Sequence, residues 1–311
     1  MVRYILLRLV GIIGVLWLIG TITFFLMHAV PGGPWDEEKA SLTPEMRELM
    51  MRKYGLDLPL SGQYVRYWTN LLQGDLGVPY QSPSETVLSL IGRAWPVSVQ
   101  LGGMAMALAI AVGLPMGLLA AIRQNTWIDH LTTALATFGL VVPNFILAVF
   151  GIWVFSLILK WLPPGGWESP RHWIMPVIIF ALSPIAIVAQ YTRAAVIQAK
   201  SSDYVRTARA KGLTGTTIVF RHILKNAMIP MLTIIGPMAG ALVTGSIFVE
   251  NIFRVPGIGR FFSQSVFSRD YPMIMGLTLL YAVIVALAYL ITDLLYVVVD
   301  PRIDLTKKSQ S

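Results

Sequence analysis

The protein has 311 residues, of which 55% are hydrophobic and only 13% charged, with a mean hydropathy of +0.67. A water-soluble chain of this length cannot hide so much apolar surface in one core, so lipid must be its main solvent. The formal net charge is +8 and cysteine is absent, which excludes disulfides, thiolate metal sites and a cysteine nucleophile.

A helix needs about 20 apolar residues to cross a hydrocarbon layer about 30 Å thick. Uncharged runs of that length predict six spans, at roughly 9–30, 96–122, 131–159, 174–199, 227–249 and 273–299, the fourth interrupted by Arg193. The predicted fold class is therefore all-α and polytopic. Its parts are a first transmembrane helix (1–30), an extracytoplasmic segment (31–95), a core of five spans (96–299) and a cytoplasmic tail (300–311). With the N-terminus inside, the inner side carries 13 Lys and Arg against 11 outside, six of the latter in the long first loop. That loop counts little towards the positive-inside rule, so both termini are expected in the cytoplasm. The basic excess is thus a topology signal and not the footprint of nucleic acid.

Arg3 and Arg8 followed by an apolar stretch look like a signal peptide. The stretch is too long, however, and Pro31-Gly32-Gly33-Pro34 replaces a small-residue cleavage site, so an uncleaved span is expected. In the segment that follows, Thr43 is placed to cap a helix, Pro44 suits its first position, and Gly55 stops it after Lys53-Tyr54. The aromatics Tyr64, Tyr67 and Trp68 are expected at the membrane interface, with the segment packed on the outer mouth of the bundle.

Within the spans, Gly102, Gly103, Ala105, Ala107, Ala109, Gly113 and Gly117 in the second, and Gly236, Gly240 and Gly245 in the fifth, mark seams where helices approach closely. Pro115, Pro143, Pro184 and Pro237 can kink their spans, as ordinary plasticity or as hinges. Arg193 either snorkels to the inner interface or lines an inner gate. Asp293 in the last span must find a donor, as a structural bond near the interface or as a cargo or gating contact. His28 lacks a second ligand at helical spacing, so no metal site is expected.

The most informative stretch is 200–226. Ser202 or Asp203 can cap a short helix through Arg209 or Ala210, Gly212 stops it, and a second amphipathic helix is predicted over 216–225. Lys200, Arg206, Arg209, Lys211, Arg221 and Lys225 accompany a single acid, Asp203. Lipid headgroups would explain the charge but not a glycine-stopped helix of small residues. After the fifth span, Gly257-x-Gly259 reads as a tight turn. No G-x-x-x-x-G-K-[ST], H-E-x-x-H or G-x-S-x-G is present, so any driving energy must come from elsewhere.

Residues 203–213 (Asp203, Tyr204, Val205, Arg206, Thr207, Ala208, Arg209, Ala210, Lys211, Gly212, Leu213), followed by Arg221, His222, Leu224, Asn226, Ala227 and Pro230, resemble the cytoplasmic loop of ATP-binding-cassette permeases of the peptide and nickel importers. The general loop of that superfamily, E-A-A-x-x-x-G and then I-x-L-P, is poorly met by Arg206-Thr207-Ala208 and His222-Ile223-Leu224-Lys225; the peptide-permease version is met almost throughout. The resemblance continues in Tyr54-Gly55-Leu56-Asp57, Gly74-Asp75-Leu76-Gly77, Glu250-x-x-Phe253-x-x-Pro256-Gly257-x-Gly259-Arg260, Arg269-Asp270-Tyr271-Pro272 and Asp300-Pro301-Arg302, with Gly33 in place of an acid and Tyr289 in place of an Asn.

The resemblance implies the type I importer permease fold, with a short helix that docks on an ATPase. It implies two ATPase subunits holding ATP and Mg, a homologous second permease and an extracytoplasmic binding protein that meets the outer loops. No cofactor is then expected on this chain, and no enzymatic activity. Di- or oligopeptides are the implied cargo, with nickel chelates or oligosaccharides as alternatives. An ion-coupled carrier would keep ionisable residues near mid-membrane, where only the off-centre Asp293 qualifies. An intramembrane enzyme would need paired carboxylates or a histidine cluster at matching depth.

Overall fold

The computed structural model describes residues 2–34 and 43–299; the predicted tail, 300–311, lies outside them. The described chain is helical, in the order α1 (Val2–Ala29), α2 (Pro44–Tyr54), α3 (Leu60–Leu72), α4 (Val87–Ile122), α5 (Trp127–Val141), α6 (Asn144–Gly151) and α7 (Pro170–Lys200). Then follow α8 (Asp203–Ala210), α9 (Gly215–Thr217), α10 (Leu224–Val243), α11 (Ile247–Ile252), α12 (Ile258–Ser268) and α13 (Tyr271–Val299). Five helices are long and apolar enough to cross a membrane, and six spans result if the bent α5–α6 pair counts as one.

Three expectations shift. Thr86 accepts a hydrogen bond from the Ser89 N–H at 3.2 Å, so the second span starts at Val87 and Pro96 lies inside it. The third span is broken: Pro143 forces Val142 into an extended conformation (φ −81°, ψ 120°), and α5 and α6 meet at 98°. The second amphipathic helix is not separate. From Ile218 to Ile223 the hydrogen bonding loosens to a π-helix, and α10 then continues from Leu224 as the fifth span. Pro115, Pro184 and Pro237, by contrast, lie inside continuous helices. The helix at 44–54 forms as expected: the Thr43 hydroxyl accepts from the Met46 N–H at 3.3 Å, and Gly55 closes it at φ +71°.

The bundle is centred on α4 and α7, with α10 packed against both and α13 against α10. Buried Leu101, Gly102, Ala105, Ala109, Gly113 and Gly117 recur every four residues or so on one face of α4. A β-carbon at Gly117 would collide with the Ala189 carbonyl, and one at Gly113 would lie 2.8 Å from that of Ile185. Backbone contact this close lets helices adhere where no hydrophobic force separates them from lipid. Gly236 makes room for the Thr292 side chain and Gly240 for that of Ala288, whereas Gly103 faces open space and Gly245 is a turn residue at φ +77°.

α1 lies at the periphery, antiparallel to α13, with Gly20 near Leu279 and the His28 ring tilted against Tyr271. α3 packs on the same C-terminal half of α1, where Tyr64 bonds Thr21 at 2.8 Å and Trp68 covers Gly20. The segment that includes Tyr64, Tyr67 and Trp68 thus sits on the ends of the first and last spans.

Candidate functional site

At the end of the bundle that carries residues 200–223, α8 is held on one side only. Val205 and Ala208, three residues apart, are buried against Ala121, Val196, Ile218, Ile223 and Ala227. Helical spacing therefore turns the remaining side chains outward. Asp203, Tyr204, Arg206, Thr207, Arg209 and Lys211 are exposed, as are Arg221 and Asn226; His222 is half-buried. Asp203 and Arg206 approach to 3.6 Å, a contact too open to water to hold much. Gly212 turns the chain at φ +74° with no atom near its α-carbon face, so glycine is needed for its backbone and not for space. The side chain of Lys225 lies outside what is described. The result is a short basic helix presented on a rigid apolar footing.

That footing is tied to the spans by polar bonds. The Lys200 ammonium donates to the Ala121 carbonyl at 2.9 Å, satisfying an end of α4. Arg193 makes two bonds to Asp129, 2.5 Å from Nε and 2.8 Å from Nη2, and Asp129 also accepts from the Asn125 N–H at 2.9 Å. Asp129 is buried, and its planar bidentate pairing binds the start of α5 to α7. Asp293 accepts from Tyr4 at 2.9 Å and is ion-paired with Arg8, so its partners are on α1 and join the first and last spans.

At the opposite end a second cluster forms around Glu250, whose side chain is fully buried. Its Oε1 accepts from the Ser98 hydroxyl at 2.8 Å and the Ser246 N–H at 3.3 Å. Its Oε2 accepts from the N–H groups of Gly259 at 2.7 Å and Arg260 at 3.2 Å. Ser98 in turn accepts from the Ile258 N–H at 2.9 Å. A carboxylate thus caps the N-terminus of α12 and ties it to α4. Gly257 and Gly259 are needed here because a β-carbon at either would press on the Glu250 carboxylate. Of the predicted loop residues, Glu250, Gly257 and Gly259 come together, while Pro256 stays exposed beside them. Nearby, the Gly166 N–H donates to the Phe253 carbonyl at 2.7 Å, joining the 159–169 loop to α11.

Asp270 is also buried, accepting from the Gln81 N–H at 3.1 Å and the Met273 N–H at 3.3 Å. Burial pushes its carboxyl above the ordinary range, and the backbone donors of Gln81, Tyr80 and Met273 pull it back. Sequence reasoning missed Asp129, Ser98 and Lys200 as partners. Asp129 carried a signal, an acid two residues ahead of a predicted span; Ser98 carried none.

Comparison with known proteins accounts for the architecture. A family model described as the inner membrane component of binding-protein-dependent transport systems matches residues 113–305, and a companion N-terminal model matches residues 1–101. The dipeptide transport system permease protein DppB of Bacillus subtilis is 39% identical over 308 residues, covering 99% of this chain and 100% of that protein. The oligopeptide transport system permease protein OppB of Salmonella typhimurium is 39% identical over 305 residues, covering 97% of this chain and 99% of its own. A solved structure of the MetNI methionine ABC transporter in inward-facing conformations shares the fold, with a TM-score of 0.59 at 18% identity over 70% of this chain and 99% of that one. With relatives matched end to end and both halves covered by family models, the helical bundle described above belongs to the family of inner membrane components of binding-protein-dependent transport systems.

Proposed function

We propose that the protein is one of two membrane-spanning permeases of an ATP-driven importer of di- or oligopeptides. The observation that carries this cargo is identity of 39% along the whole length of a dipeptide permease, DppB. The 200–223 end and both termini face the cytoplasm, and the α2–α3 and α11–α12 segments face outward to receive a binding protein. α8 docks on one of two ATPase subunits, which hold ATP and Mg²⁺; this chain adds no ATPase site of its own. A homologous second permease completes the path.

ATP hydrolysis can shift the path only if the closed ATPase pair binds α8 in a different pose from the open pair. A helix clamped on a small apolar base, with its basic face free, is suited to transmit such a pose change to α4, α7 and α10.

In inside-out vesicles with cargo and binding protein trapped in the lumen, ATP added outside should drive the cargo out. In right-side-out vesicles supplied with binding protein and internal ATP, labelled dipeptide should accumulate. Uptake that survives ATP depletion but collapses with the proton gradient would replace the importer by a carrier. Accumulation of a nickel chelate with no peptide uptake would reassign the cargo alone.

A further inference from the structure

Between α1, α2, α3 and the start of α13 lies a cavity of about 340 Å³ that neither the coupling surface nor the Glu250 cluster uses. From α1 it is walled by Phe24, Met27 and His28, and from α13 by Tyr271 and Met275. Its depth in the membrane follows from helix geometry. The Arg8–Asp293 pair marks one polar boundary and the His28–Tyr271 ring contact the other. Twenty residues of helix separate Arg8 from His28, which is about 30 Å, the thickness of a hydrocarbon layer. The cavity therefore sits where acyl chains give way to headgroups.

Its chemistry is graded across that boundary. Phe24, Met27 and Met275 make an apolar floor, and Lys53 and Arg66 stand in the wall contributed by α2 and α3. Among the described residues neither cation is ion-paired, and Asp75 in the same wall already accepts the Gly77 N–H at 2.8 Å. Gly55 lets the Arg66 guanidinium lie directly against the end of α2. The Tyr67 hydroxyl is buried without a hydrogen-bond partner. A buried donor of this kind lacks an acceptor that a ligand oxygen would supply. α1 packs on the rest of the bundle through α13, and its remaining apolar surface is largely exposed beside the cavity.

From these features we infer a binding site for one phospholipid of the adjacent leaflet. Its phosphate sits between Lys53 and Arg66, an ester or phosphate oxygen accepts from Tyr67, and the upper acyl chains rest on Phe24, Met27 and Met275. The inference rests on the chain spanning a bilayer and not on its cargo. A bound lipid here joins the α2–α3 segment to the first and last spans.

The test is native mass spectrometry of the intact complex, purified in mild detergent after reconstitution in phosphatidylethanolamine and phosphatidylglycerol. Three variants are compared with the unaltered chain: Lys53→Gln with Arg66→Gln, Tyr67→Phe, and Arg171→Gln as a charge control outside the cavity. The unaltered complex and the control are expected to retain one phospholipid beyond any loosely held lipid. The double variant should lose it about tenfold more readily, the scale of losing hydrogen bonds to a charged group, with Tyr67→Phe between them. Equal retention in all four would overturn the site. So would full displacement of the lipid by inorganic phosphate, which would identify a soluble anion as the occupant. Because the readout is lipid mass on an assembled complex, a failed peptide-uptake assay leaves this result unaffected.

Discussion

Replacement of Glu250 by alanine is expected to abolish transport and to lower the unfolding temperature of the assembled complex by several degrees. The carboxylate takes donors from Ser98, Ser246, Gly259 and Arg260, and its side chain has no contact with solvent. Alanine would leave those donors facing an empty, buried space, at about 1–3 kcal/mol for each that water cannot reach. The isosteric Glu250→Gln also suffers, because its amide N–H₂ must point at groups that donate. Ser98→Ala should be milder: it frees the Ile258 N–H and one donor to the carboxylate but leaves the Gly259 and Arg260 N–H groups bonded to Glu250. An unchanged melting curve and normal uptake for Glu250→Ala would dismiss the carboxylate as the organiser of this end of the bundle.

The second large effect is expected at α8. Gly212→Val should cut uptake roughly tenfold while the protein still inserts and assembles. Open space surrounds Gly212, so the side chain itself fits; the cost is the left-handed backbone, φ +74°, which disfavours a β-branched residue by about 1–2 kcal/mol. Asn tolerates that region better, so Gly212→Asn should retain more activity. Arg206→Glu reverses a charge on a side chain that is 77% exposed, so stability should hold while uptake and cargo-stimulated ATP hydrolysis fall together. Normal uptake in Arg206→Glu and Gly212→Val alike would remove α8 from the coupling path. A fall in uptake with intact, cargo-stimulated hydrolysis would place their defect in the membrane path instead.

Much of this architecture is local in origin, and the local part is what a single chain reveals. The cap at Thr43, the stop at Gly55, the glycine turn at Gly212 and the α4 seam each follow from residues within a few positions of one another. The break in the third span was visible as Pro143, yet a proline in a span permits a gentle kink as readily as the 98° bend found here. The fused helix after Gly215 had no readable signal, because a π-helical stretch has no distinctive composition. The polar clusters are the other limit. Ser98 and Glu250 are 152 positions apart, Asp129 and Arg193 are 64, and Tyr4 and Asp293 are 289. Such pairs exist only once the spans are packed. Glu250, Gly257 and Gly259 were legible as a motif, while their shared task, a carboxylate caged by glycines at a helix start, needed the three-dimensional arrangement.

If α8 is the contact through which an ATPase moves this bundle, its exposed face must lie against that ATPase in the membrane. The protein has no native cysteine, so a single cysteine at Arg209, on the exposed face of α8, can be probed without background from this chain. Treatment of native membranes with a short thiol-to-amine crosslinker, followed by mass spectrometry, should join Arg209→Cys to a subunit with a Walker nucleotide-binding motif, and ATP with a hydrolysis blocker should change the yield. Efficient labelling of the same cysteine with no ATPase adduct, with or without nucleotide, would contradict the coupling role.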